Sequence, residues 1–123
     1  MRKILLLVFG ATMMFGTPAA IAGDPVAGKK IFKKCKACHT LKAGKKKVGP
    51  SLFGVVGRKA ATSKGFKYSK AMRKSGIIWD EASLDAYLKK PRKFVKGTRM
   101  AFPGLKKQAD RDNVIAYIKE KSK

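Results

Sequence analysis

Cys35, Cys38 and His39 stand within five residues, in Cys35-Lys36-Ala37-Cys38-His39, and they are the chain's only cysteines and only histidine. Cys-x-x-Cys-His is the spacing of a covalent c-type haem attachment site. Each thiol adds across a vinyl group of the macrocycle, and the adjacent imidazole is offered to the iron. Other uses of the pair fit less well. A redox-active dithiol belongs with a strand-to-helix pattern, which this chain lacks. Zinc wants four ligands, and without further Cys or His the rest would have to be scarce carboxylates. A disulfide across so short a loop constrains little.

An iron held by one histidine has a second axial position. No second histidine exists, which excludes bis-histidine ligation. Methionine is then the leading ligand type for an electron carrier, and His/Met ligation raises the reduction potential. Of five methionines, Met1, Met13 and Met14 fall in an N-terminal segment taken up below. Met72 lies in Tyr68-Ser69-Lys70-Ala71-Met72-Arg73, suited to a short helix and to packing. Met100 lies in Lys96-Gly97-Thr98-Arg99-Met100-Ala101-Phe102-Pro103-Gly104. That loop is rich in Gly and Pro and able to bring a thioether to the iron from outside a helix, so Met100 is the stronger candidate.

The elements that must position these groups read as helices. Asp24 is a good N-cap with Pro25 at the first helical position. Gly28, Ile31, Phe32 and Cys35 follow on one face, so this helix delivers the chain to the haem motif, with Gly28 placed for close backbone contact. A second helix runs from Asp80 to Lys90, with Leu84, Tyr87 and Leu88 as its stripe and Pro91 closing it. A third runs from near Asp110 toward Lys121, with Val114, Tyr117 and Ile118 inward and basic residues where the dipole favours cations. Tyr68 to Lys74 suits one short helix. Strand-like alternation is nearly absent, so the fold class is all-α, with long loops that need an organising centre.

The chain has 123 residues, enough for one domain. Arg2 and Lys3 precede an apolar run, and Ala20-Ile21-Ala22 offers small residues where a signal peptidase reads. Residues 1–22 are expected to be a signal peptide cleaved after Ala22, leaving a domain over 23–123 in the periplasm. The alternative is an uncleaved anchor, which Gly10, Gly16 and Pro18 disfavour by interrupting the run. A domain this small buries limited surface, and a covalent haem would act as its staple. The 30 basic and 7 acidic side chains give a formal charge of +23, or +21 without Arg2 and Lys3. So lopsided a total implies acidic partners or anionic surfaces.

A longer series of residues carries a resemblance. It comprises Gly23-Asp24 through Gly28 and Phe32, Cys35 to Thr40, Gly49-Pro50, Gly57-Arg58, Gly65-Phe66-Lys67-Tyr68 and Trp79. It continues with Tyr87-Leu88, Pro91, Gly97-Thr98 with Met100 and Phe102, and Val114 to Tyr117. From Gly23 onward the chain resembles the class I cytochromes c, in particular the bacterial c2 type close to the mitochondrial proteins. The resemblance implies three main helices and loops wrapped around one covalently attached haem c, with His39 and Met100 as axial ligands. It implies that the Pro50 carbonyl accepts from the His39 ring, and that Arg58, Tyr68 and Trp79 surround a buried propionate. Tyr87 would reach toward the Met100 sulfur, Thr98 would support the ligand loop, and Phe102 would pack at the haem edge. Two departures stand out. The loop from His39 to Pro50 is one residue shorter than in the mitochondrial proteins and lacks their extra histidine. Lys96 stands where those proteins usually have proline, which suggests a lysine that replaces Met100 on the iron at raised pH.

Function follows as an expectation. With both axial positions filled, no substrate readily reaches the metal, so the chain reads as a soluble one-electron carrier and not an enzyme. It would shuttle between respiratory or photosynthetic complexes, as a monomer. Expected partners are acidic redox proteins such as a quinol–cytochrome c oxidoreductase and a terminal oxidase, with an anionic membrane surface as a further contact. Export makes nucleic acid an unphysiological partner. Two other classes are alternatives: a small haem peroxidase-like enzyme, which needs an open distal site that Met100 opposes, and a polyanion- or membrane-surface-binding protein, whose binding would survive loss of haem.

Overall fold

A computed structural model describes residues 10–16 and 23–123. The expected cleavage bond after Ala22, and the expected signal apart from an exposed, irregular stretch over 10–16, lie outside the described residues. No helix among the described residues is long and apolar enough to cross a membrane.

Five helices follow in order: α1 (Pro25–Phe32), α2 (Lys70–Lys74), α3 (Glu81–Lys89), α4 (Pro91–Phe94) and α5 (Gln108–Lys121). Among the described residues the sole β feature is one bridge, Lys59 to Ile78, so the architecture is all-α. α1 starts where its cap dictates: the Asp24 carboxylate accepts the Val26 N–H at 2.9 Å, with Pro25 at the first turn. α3 is capped in the same way, Asp80 accepting the Ser83 N–H at 2.7 Å. Ser69 caps α2 through the Met72 N–H at 3.0 Å, so that helix begins at Lys70 and not at Tyr68.

Two further boundaries differ from the sequence reading. Pro91 closes α3 but also opens α4, because a missing N–H costs nothing at a first helical position. A single turn shows no periodicity, so α4 is invisible to pattern. α5 begins at Gln108, two residues before the expected Asp110, and has no side-chain N-cap. Its first turn is held by tertiary bonds: the buried Arg111 donates to Asp85 Oδ1 on α3 at 2.7 Å and to the Leu105 and Lys106 carbonyls at 2.7 and 2.9 Å.

α1 packs against α5 and α5 against α3. Gly28 makes the first contact possible. A Cβ there would overlap the Asn113 carbonyl and meet Tyr117 Cβ at 2.8 Å. Phe32 and Tyr117 stack beside it, ring centroids 5.3 Å apart. Phe32, Leu84, Leu88, Val114 and Ile118 fill the core between the three helices. Burial of such side chains is the main driving force for folding. The long connection from α1 to α2 has no helix of its own and is tied by bonds such as Leu52 N–H to Thr40 O at 2.9 Å.

Candidate functional site

The turn that leaves α1 continues its bonding for one more step. Cys35 N–H donates to Phe32 O at 2.8 Å and His39 N–H to Cys35 O at 2.9 Å. Cys35, Cys38 and His39 are thereby presented together. All three line a cavity of about 330 Å³, and Met100 lines it too, brought by the loop between α4 and α5. Pro50, Tyr68, Thr98 and Phe102 also contribute to the wall, as does Met72. Such a volume lies in the range of ligand pockets.

The imidazole is oriented. His39 Nδ1–H donates to the Pro50 carbonyl at 2.8 Å. A carbonyl can only accept, so the proton sits on Nδ1 and the Nε2 lone pair is left for a metal. Burial lowers the His39 pKa against the opposing pull of that bond, which keeps the ring neutral and fit to ligate. Gly49 packs flat against it: a Cβ at 49 would meet Nδ1 at 2.7 Å and Nε2 at 2.9 Å.

The opposite wall is braced at both ends. Thr98 N–H donates to Val95 O at 3.1 Å, and Leu105 N–H to Leu88 O at 2.7 Å. Met100 sits between these anchors. Tyr87 bonds Thr98 Oγ1 at 2.7 Å, and Thr98 Oγ1 in turn accepts the Met100 N–H at 3.4 Å. The expected reach of Tyr87 toward the sulfur is thus taken by a hydroxyl two residues earlier, a stronger hydrogen-bond acceptor than a thioether. Burial raises the Tyr87 pKa, which keeps it a phenol, and either hydroxyl of the pair can donate.

Arg58, Trp79 and Tyr87 do not line this cavity; Tyr87 backs the lining residue Thr98. Trp79 is buried against Tyr87, centroids 5.0 Å apart. Arg58 donates through Nη1 to Phe53 O and through Nη2 to Ser51 O, while its buried Nε has no partner. Tyr68 accepts the Ser63 N–H at 3.0 Å, leaving its own proton to give. An orphaned guanidinium N–H and a phenol seeking an acceptor suit an acidic group such as a propionate.

Burial and then the neighbouring Cys38 push the Cys35 thiol up to about 11 against the opposing pull of Lys34, so without haem it is protonated. Two thiols, a neutral imidazole and a thioether lining one cavity suit a covalently attached haem with two protein ligands to its iron, and the residues fit that group. One edge of the cavity is open. Cys38 and Val48 are exposed there, beside Lys34 and Arg99.

Charge is segregated around this edge. Residues 25–79 contain no Asp or Glu, a pattern plain in the sequence and not drawn from it. Every acidic residue stands at the start of α1 or on, or beside the start of, α3 and α5.

The family model for cytochrome c matches residues 25–122. The chain is 47% identical over 119 residues to cytochrome c2 of Rhodomicrobium vannielii, covering 96% of this chain and 95% of that one. It is 54% identical over 100 residues to cytochrome c2 of Rhodoblastus acidophilus, covering 80% and 94%. Among solved structures it is similar to cytochrome cH from Methylobacterium extorquens, with 48% identity, a TM-score of 0.76, and coverage of 80% of this chain and 100% of that one.

Proposed function

The chain belongs to the cytochrome c family, whose members carry one covalently attached haem c, and from that premise we propose that it is a soluble, periplasmic one-electron carrier whose haem is ligated by His39 and Met100. The observation that carries this reading is the convergence of Cys35, Cys38, His39 and Met100 on one cavity. When bound, the group supplies a reversible Fe(III)/Fe(II) couple.

This chain's residues do the rest. Cys35 and Cys38 hold the group through thioethers. His39 ligates through Nε2 because Pro50 holds the other nitrogen, and such an outer bond raises ligand basicity. Met100, on a loop anchored by Thr98 and Leu105, would supply the second protein ligand to the iron. A soft sulfur ligand and an apolar wall favour the reduced state. With His39 and Met100 both holding the iron, substrate would be kept from it, which suits a carrier and not an enzyme. Arg58 and Tyr68 offer donors to a propionate, Trp79 and Tyr87 back the wall, and Phe102 packs near the open edge.

Electrons pass at that edge. Lys34, from the acid-free segment 25–79, and Arg99 border it, so the partners are acidic redox proteins that dock there transiently. A quinol–cytochrome c oxidoreductase and a terminal oxidase are candidates of that kind. Residues 1–22 serve export and are cleaved after Ala22.

The test is a visible spectrum of the oxidised and reduced protein with its intact mass. Expected are the mass of residues 23–123 plus one haem, a low-spin spectrum, and a sulfur-to-iron charge-transfer band that disappears in Met100→Ala and persists in Met72→Leu. A high-spin spectrum, or peroxide turnover by the undenatured protein, would overturn the reading in favour of an enzyme.

A further inference from the structure

A second cavity, of about 350 Å³, shares no lining residue with the first. Gly23 lines it, with Glu81 and Asp85 from α3, Asp112, Lys119 and Glu120 from α5, and Lys123 beyond. Four of the chain's seven acids thus face one recess of a strongly basic protein. Among the described residues, no group of three or more His, Cys, Asp or Glu suits a metal ion.

Two of these carboxylates already have cations: Glu81 pairs with Lys119 and Asp85 with Arg111, each at 2.7 Å. Glu120 meets Lys121 at 3.5 Å. Asp112 is different. Its Oδ1 accepts only from the neutral Gln108 amide at 2.9 Å, and it makes no ion pair among the described residues.

Gly23 is held over this same residue. A Cβ at 23 would overlap the Asp112 carbonyl and meet Asn113 N at 2.7 Å. The following N–H, of Asp24, donates to Asn113 Oδ1 at 2.8 Å. The neighbouring acids outside the cavity are committed elsewhere: Asp24 and Asp80 cap helices.

We propose that the α-ammonium created at Gly23 by cleavage of the Ala22–Gly23 bond binds in this cavity as the cation that Asp112 lacks, so that processing completes the α1–α5 contact. This rests on the export reading above. Cleavage by a signal peptidase consumes one water and leaves a carboxylate on Ala22 and an ammonium on Gly23; the unprocessed chain holds a neutral amide there. Lys119 is offset by Glu81, so Lys123 is the cation on the wall that makes no ion pair among the described residues.

The experiment is an NMR titration of the Gly23 α-amine in isotope-labelled, exported holoprotein, after its N-terminus is read by mass. An ordinary α-amine titrates near 7.7–8.0, and a net charge near +21 acts to lower that value. The proposal expects the reverse, a rise of about half a unit or more, removed by Asp112→Asn. The haem spectrum of that variant stays unchanged. A chain retaining Ala22 should melt about 3 °C lower. An N-terminus other than Gly23 overturns the export reading and the ion pair together. An N-terminus at Gly23 with an ordinary or lowered value, unmoved by Asp112→Asn, overturns the ion pair alone.

Discussion

Arg111 Nε donates to Asp85 Oδ1 at 2.7 Å, from a side chain only 3% exposed. Its remaining bonds reach Leu105 O, Lys106 O and Gln108 Oε1. One side chain therefore ties α5 to α3 and to the downstream end of the loop that carries Met100. Removing one partner of such a pair strands the other, at a typical cost of 3–5 kcal/mol. Since Asp85 is partly solvated, Arg111→Met is expected to lose about 3 kcal/mol in denaturant unfolding of the holoprotein. Its sulfur–iron band should also vanish at lower pH than in the parent, because the Met100 loop has lost an anchor. Asp85→Asn should show the same signs, weaker. Loss of less than about 1 kcal/mol would mean that water replaces the clamp.

Asp80 gives a pH signature. Its exposed carboxylate caps α3, and hydrogen bonds from Ser83 hold its pKa below the ordinary 3.8. A depressed carboxyl binds fewer protons folded than unfolded, so its stabilisation is present above the ordinary value and is lost as pH falls through the folded one. Asp80→Ala should lower the melting temperature at neutral pH, with the gap to the parent narrowing on acidification. Asp80→Asn keeps a neutral cap, so the parent should lose its margin over that variant below the ordinary value. A gap to Asp80→Ala that stays constant through the acid range would show that the cap is not what titrates.

The parts read most securely from sequence were those with few alternatives. One histidine and two cysteines left no choice of attachment site. Asp24, Pro25 and Asp80 announced their helices because caps are local chemistry. Gly28 was legible as a close approach because it lies on an otherwise apolar face. What stayed hidden depends on distant partners. In the sequence Arg111 is one of thirty basic residues with nothing local to single it out, and only the fold shows carbonyls converging on it. The family pattern placed Tyr87 near Met100, but the competition between a thioether and the Thr98 hydroxyl needed coordinates.

Lys96 and Gly97 precede the ligand loop, and Gly97 holds φ +90°. Lys96 is exposed, with no proline stiffening its position. If it displaces Met100 on the iron as its ammonium deprotonates, Lys96→Pro should raise the midpoint of the alkaline loss of the sulfur–iron band. Lys106→Ala, beyond the loop, should leave it in place. An unchanged midpoint in Lys96→Pro would assign the alkaline ligand to another group.

Ala61 is the one described non-glycine residue in the left-handed region, at φ +62°. That conformation costs an L-residue about 1–2 kcal/mol, while glycine's extra unfolded-state entropy costs about 0.5–1 kcal/mol. Ala61→Gly should therefore gain about 0.5 kcal/mol, read as a rise in the denaturation midpoint at unchanged slope. A loss instead would mean that the Ala61 methyl, half-buried against the core, contributes more than the strain removes.

The segregation of charge makes the last expectation directional. Electron transfer to an acidic partner should slow about tenfold or more between low and physiological salt, as a steered encounter does when the Debye length falls to about 8 Å. Position separates a docking site from mere net charge. Lys47, whose Nζ donates to Lys36 O beside the haem motif at 2.9 Å, and Lys119, paired with Glu81 on the far helices, each remove one unit of charge when changed to Gln. Both side chains are exposed, so neither change should cost much stability. If partners dock at the edge bearing Cys38 and Val48, Lys47→Gln should lower the second-order rate and flatten its salt dependence, and Lys119→Gln should do neither. Equal effects would mean that the field acts only through its total, with no preferred face.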